Sequence, residues 1–273
     1  MARETPPLSA ARALTRQAAW FLGACLGGGL AAVVVFLGPG PGLRWLGPAA
    51  LAAVAEGVLL RRGLAALPPP PEQKGWGLAN WLTLGRGGLL ILAAGFGGLP
   101  PAALAGAGLL VWVPAGLLLA AAGLDGLDGW AARQRGEDSP LGAYLDRNLD
   151  ALYFLIASLL AVAWSRAGLW FVLVGLAHYL FWAAYHWRRR RGLPLQPLAP
   201  STRRRVVAGL TMAGLGCLLL PLGGEAWSRS LAWGWGVPFL WFFLLDWRQV
   251  SQTLPARGPG YPVDAPGGTG GRS

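Results

Sequence analysis

Apolar residues are gathered in long blocks along this chain, separated by short polar, basic or Gly/Pro-rich stretches. Blocks of about twenty apolar residues match the thickness of a bilayer crossed as a helix. Eight spans are predicted: residues 17–37, 45–60, Trp81–Gly97, Ala102–Leu124, Leu141–Ala163, Leu169–Trp187, Val206–Leu222 and Leu231–Asp246. The breaks between them carry the usual helix interrupters. Gly38-Pro39-Gly40-Pro41-Gly42 reads as a turn, Pro68 to Pro71 as a semi-rigid linker, and Pro100-Pro101 as a turn. Residues 76–80, with Trp76 as anchor, are expected to lie along the interface. Residues 255–273 are rich in Gly and Pro, have no core pattern, and read as disordered. The expected fold is therefore an all-α integral membrane protein.

Composition supports this class, with 54% of the 273 residues hydrophobic and 13% charged. A net charge of +11 would suggest nucleic acid for a soluble domain. Here it reads as basic loops facing anionic headgroups, with no nucleic-acid partner. An even number of spans puts both termini on one side of the membrane. On that side fall 18 of the 23 Lys and Arg residues, including Arg61, Arg62, Arg188 to Arg191 and Arg203 to Arg205. The other side has Arg44, Arg166 and Arg229. The positive-inside rule then makes the termini cytoplasmic and the localisation a multi-pass plasma-membrane one. The first apolar run is too long for a cleavable signal and is read as a retained span. Cys25 and Cys217 lie in apolar runs and read as inert packing residues.

Charge inside the apolar blocks is concentrated in one place. Six of the twelve acidic residues fall between Asp125 and Asp150. On helices, Asp125 and Asp128 share a face, as do Asp146 and Asp150. Gly136 and Pro140 interrupt the chain between the pairs, so two helices can fold back with four carboxylates converging. That many like charges require a cation among them. Hard oxygen ligands suit Mg²⁺, Mn²⁺ or Ca²⁺, and a two-metal site for phosphoryl chemistry follows. An intramembrane-aspartate cation transporter is the alternative from another class. Glu56 is expected to be buried in the second span and to be protonated or locally paired, since it has no acidic neighbours.

Asp125, Asp128, Gly129, Ala132, Arg133, Gly142, Asp146 and Asp150 have the spacing D-x2-D-G-x2-A-R-x8-G-x3-D-x3-D. In this the chain resembles the CDP-alcohol phosphatidyltransferases, at all eight fixed positions. The resemblance implies a core of six transmembrane helices, about residues 76–250. Residues 1–75 are then an N-terminal two-span extension and 251–273 a tail. Because the linker looks like a module boundary, a chain starting near Glu72 is expected to keep its activity. The implied reaction moves a substituted phosphate from a CDP-linked lipid, usually CDP-diacylglycerol, to an alcohol acceptor and releases CMP, in phospholipid synthesis. Two Mg²⁺ or Mn²⁺ ions and a homodimer belong to the same implication, with the site facing the cytoplasm.

Under the resemblance, Asp125, Asp128 and Asp146 are metal ligands. Asp150 also touches metal and is the favoured general base. Gly129 and Gly142 allow close approach of nucleotide and backbone, and Ala132 is grouped with them on the donor side. Arg133 pairs either with donor phosphate or with a motif carboxylate. Asn80, Thr83 and Arg86 resemble the N-x2-T-x2-R found near the nucleotide at the start of the family's first core helix. Thr83 has the alternative of bonding its own helix. Arg86, inside a span, needs an anionic partner. Arg203, Arg204 and Arg205 are candidates for holding an acceptor phosphate, with topology and lipid contact as the alternative.

Overall fold

The protein is described from a computed structural model, which covers residues 8–67, 77–104, 106–135, 139–196 and 201–252. The Pro68–Pro71 linker, Lys74, Trp76, Gly136 and the tail from residue 255 lie outside the described residues. Among the described residues there are eight long α-helices: α1 (Leu8–Leu37), α2 (Pro39–Ala66), α3 (Gly77–Gly95), α4 (Val113–Arg135), α5 (Pro140–Ala163), α6 (Val172–Arg190), α7 (Thr202–Leu218) and α8 (Glu225–Ser251). Short 3-10 turns at Phe96–Gly98, Pro101–Leu104, Gly108–Trp112 and Leu169–Phe171 join or precede them. No strand occurs among the described residues.

Four stretches are long and apolar enough to cross a membrane: Ala13–Leu37, Pro39–Ala66, Gly108–Leu127 and Leu169–Arg190. The remaining helices fall short for visible reasons. α5 carries Asp146, Arg147 and Asp150 within its length, and α7 has only 17 residues. Large apolar side chains such as Val35, Leu51 and Trp241 are exposed on the outside, as bilayer-facing residues are.

Several boundaries differ from the sequence pattern. The Gly38–Gly42 turn contracts to Gly38 alone, in a left-handed conformation (φ 92°) that glycine adopts without strain. Pro39 then occupies the first turn of α2, where its missing N–H costs nothing. The Gly38 N–H still donates to the Val34 carbonyl (2.9 Å), and the Gly42 N–H to the Gly38 carbonyl (3.2 Å). Residues 77–80 do not run separately along an interface; they are the first turn of α3. α4 starts later than Ala102 and runs on to Arg135, so Asp125 and Asp128 sit within a helix rather than at its end. α7 starts at Thr202, which makes Arg203 to Arg205 helical.

α3 lies at the centre, packed by α1, α2, α4 and α5, while α7 packs on α4, α5 and α8. Between apolar helices in lipid, close van der Waals contact takes over from the hydrophobic effect, and small residues permit it. A Cβ at Gly88 would stand 2.8 Å from Cys25 Sγ of α1. A Cβ at Gly95 would collide with the indole of Trp45 from α2. The fully buried Leu90 and Ile91 of α3, Leu118 of α4 and Leu160 of α5 complete the core.

Candidate active site

Arg86 extends from the middle of α3 and has no exposed surface. Such an arginine requires hydrogen-bonded anions. It finds them on two helices. Nη1 donates to Asp125 Oδ1 of α4 and to Asp146 Oδ1 of α5 (3.0 Å). Nη2 donates to Asp150 Oδ1 (2.8 Å) and to the Asp146 carbonyl (3.0 Å). The spacing of four residues on α5 puts Asp146 and Asp150 on the face toward α3, as expected of i, i+4. One carboxylate oxygen from each of Asp125, Asp146 and Asp150 lies within 4.8 Å of the others. The carboxylates themselves stay partly open, with side-chain exposures of 29% for Asp125, 45% for Asp146 and 37% for Asp150. The cluster therefore has a closed floor, formed by Arg86, and an accessible side.

The start of α5 is fixed locally. Ser139 caps it, its Oγ accepting from the Gly142 N–H (3.0 Å), and Pro140 occupies the first turn. Gly142 leaves room for Asn80, whose Oδ1 would stand 2.9 Å from a Cβ there. Asn80 and Thr83 are both buried, and the Thr83 hydroxyl donates to the Ala79 carbonyl of its own helix (3.0 Å). The α4 backbone carries Asp128, Gly129, Ala132 and Arg133 onward from Asp125, but their side chains lie outside the described ones. Arg86, which the sequence groups with Asn80 and Thr83 on the donor side, thus has the anionic partners that its place in a span demands.

The basic residues of α7 divide. Arg204 Nη1 pairs with Asp246 Oδ1 of α8 (3.3 Å), and the Arg203 guanidinium lies 5.0 Å from the centre of the Phe242 ring. Both tie α7 to α8. Arg205 is exposed. Two contacts join α7 to its other neighbours. The Tyr153 hydroxyl of α5 donates to the Met212 carbonyl (2.7 Å), and Gly216 packs on Leu119 of α4.

Sequence reasoning set Glu56 aside, and the structure places it against α3 beside Arg86. The signal was a lone carboxylate in the middle of an apolar span; what the sequence lacked was its neighbour Gly87, which lies on another helix.

A family model of the CDP-alcohol phosphatidyltransferases matches residues 76–244, from the start of α3 into α8. The chain belongs to the CDP-alcohol phosphatidyltransferase family. Neither curated proteins nor solved structures gave a match to it. As a family member it is a membrane phosphotransferase for CDP-linked alcohols, and all eight motif residues fall on α4 and α5. The family uses divalent metal, and the carboxylates of Asp125, Asp146 and Asp150 can hold such an ion. Oxygen-only ligands at this spacing fit Mg²⁺ or Mn²⁺ and do not suit a softer metal.

Proposed function

We propose that this enzyme transfers a phosphatidyl group from a CDP-linked lipid such as CDP-diacylglycerol to the hydroxyl of an alcohol acceptor, releasing CMP, as a step of phospholipid synthesis. The observation that carries the reading is the convergence of Asp125, Asp146 and Asp150 from two helices around one buried arginine, with their open side accessible. Asp125, Asp128 and Asp146 would hold two divalent cations, with Asp150 at their edge. When bound, the cations supply charge neutralisation on the diphosphate. Asp150 accepts the proton of the acceptor hydroxyl, and its partial exposure lets that hydroxyl reach it. Asn80 and Gly142, in contact with each other, and Gly129, Ala132 and Arg133 border the donor side. Of the three arginines at the start of α7 that are candidates for an acceptor phosphate, Arg205 is exposed, while Arg203 and Arg204 are engaged with α8. Residues 76–250 form the catalytic core, and eight spans with cytoplasmic termini let CMP leave into the cytosol.

The test is direct. Purified protein incubated with CDP-diacylglycerol, Mg²⁺ or Mn²⁺ and a panel of alcohols should release CMP with at least one acceptor. Release should stop with EDTA and return when either ion is added back. Full turnover in chelator would remove the metal site. Metal flux in liposomes without any nucleotide chemistry would favour a transporter.

A further inference from the structure

Glu56 lies in the middle of α2, in the part of the chain that the family match does not cover. It is 5% exposed. Its Oε1 has no hydrogen-bond partner among the described residues. Its Oε2 is pressed against Gly87 so closely that any Cβ there would collide with it. A cavity of about 20 Å³, too small for anything beyond a single water, separates it from Leu145 and Leu149 of α5. Those two residues directly precede Asp146 and Asp150. Arg86, next to Gly87, is near enough for its charge to act on Glu56. A buried carboxylate with an unused oxygen is costly.

Arg86 therefore stands between two sets of acids. Asp125, Asp146 and Asp150 hold it from α4 and α5, and Glu56 of α2, packed against the adjacent Gly87, is within reach of its charge. The oxygens to which it donates belong to the same carboxylates proposed to take divalent cations. A guanidinium and a cation against the same oxygens repel each other strongly in a weakly screened interior. Without another anion, Arg86 would oppose metal binding.

We propose that Glu56 is the alternative partner of Arg86: when the aspartates take up divalent cations, the guanidinium turns from them toward the unused Glu56 oxygen. The N-terminal helix pair is then part of the site, and Glu56 is a positioning residue acting through Arg86. The inference rests on the metal reading given above.

The experiment measures Mn²⁺ affinity of the purified full chain by the loss of the free-ion paramagnetic resonance signal. Wild type, Glu56→Gln, Arg86→Gln and the double variant are compared, each checked for a helical, monodisperse state. Glu56→Gln should weaken Mn²⁺ binding on the order of tenfold, since neighbouring charges couple at this scale. In the Arg86→Gln background no guanidinium has to move, and the same substitution should then change affinity by less than about twofold. Equal losses in both backgrounds, or no loss in wild type, overturn the proposal. If wild type itself binds no Mn²⁺, the metal reading falls along with it; if wild type binds and Glu56→Gln is silent, only this inference falls. Should Arg86→Gln fail to fold, Glu56→Asp decides. It keeps the charge and should keep most of the affinity that Glu56→Gln loses, whereas an equal loss overturns the proposal.

Discussion

Three carboxylates share one small volume because a fully buried arginine sits among them, and that arrangement separates the roles of the aspartates. Asp125 comes from α4, whereas Asp146 and Asp150 come from α5, so loss of Asp125 removes the only described carboxylate that joins the two helices at the site. Asp125→Asn should weaken both donor binding and turnover. Asp150→Asn keeps shape and an oxygen but cannot take a proton. Its turnover should drop on the order of 10²–10⁴, the usual share of a general base, with donor affinity changed far less. CMP release and calorimetric donor binding in Mn²⁺ measure the two effects; donor binding lost equally in both variants would make Asp150 a ligand and not the base. At this scale the aspartates were legible in the sequence, because their i, i+4 spacing and apolar flanks already imply convergence. Arg86 was half legible: its need for an anion followed from its burial in a span, but which anions depended on how α3 packs. Glu56 was not, since its neighbour belongs to a different helix.

Among the elements, α3 decides what the N-terminal pair is for. Its glycines take α1 and α2 at contact distance through Cys25, Trp45 and Glu56. A chain starting near Glu72 would lack all of these contacts, so its activity is the measure of what the pair contributes. Without α1 and α2, the Gly87, Gly88 and Gly95 face of α3 loses its partners. Such a truncated chain should bind Mn²⁺ weakly and melt lower in detergent, and retention of wild-type CMP release would show the pair to be dispensable. Gly95→Ala tests the same contact more gently. The added methyl meets the Trp45 indole, and overpacking of this kind costs about 1–3 kcal/mol, read as a lower melting temperature in detergent. The number of helices was legible from the apolar blocks. Their ends were less so. α4 and α7 extend into charged segments because Asp125 and Arg204 find partners on neighbouring helices, which hydropathy along one strand of sequence does not register.

At the scale of the molecule, eight long helices pack together among the described residues, while four stretches of them satisfy length and apolarity for a bilayer crossing. The discrepancy lies in the elements that carry charge or are short, such as α5 and α7. Topology is then best tested directly. With Cys25 and Cys217 replaced, single cysteines near residues 136 and 195 should react with an impermeant thiol reagent only from the cytoplasmic face. Labelling of either from outside would invert the assignment. The joint at Gly38 bears on how that topology arises during synthesis. A single residue connects α1 to α2, and hydrogen bonding continues across it. The pair has no loop long enough to let one helix enter the bilayer ahead of the other. Helices joined this tightly are suited to enter a bilayer as one body. Its two open ends carry Arg16 on one strand and Arg61 and Arg62 on the other, so both anchor to the same surface. A positive-inside bias would therefore act on both ends of the hairpin together, and a change of charge at either end should be felt by the pair as a whole.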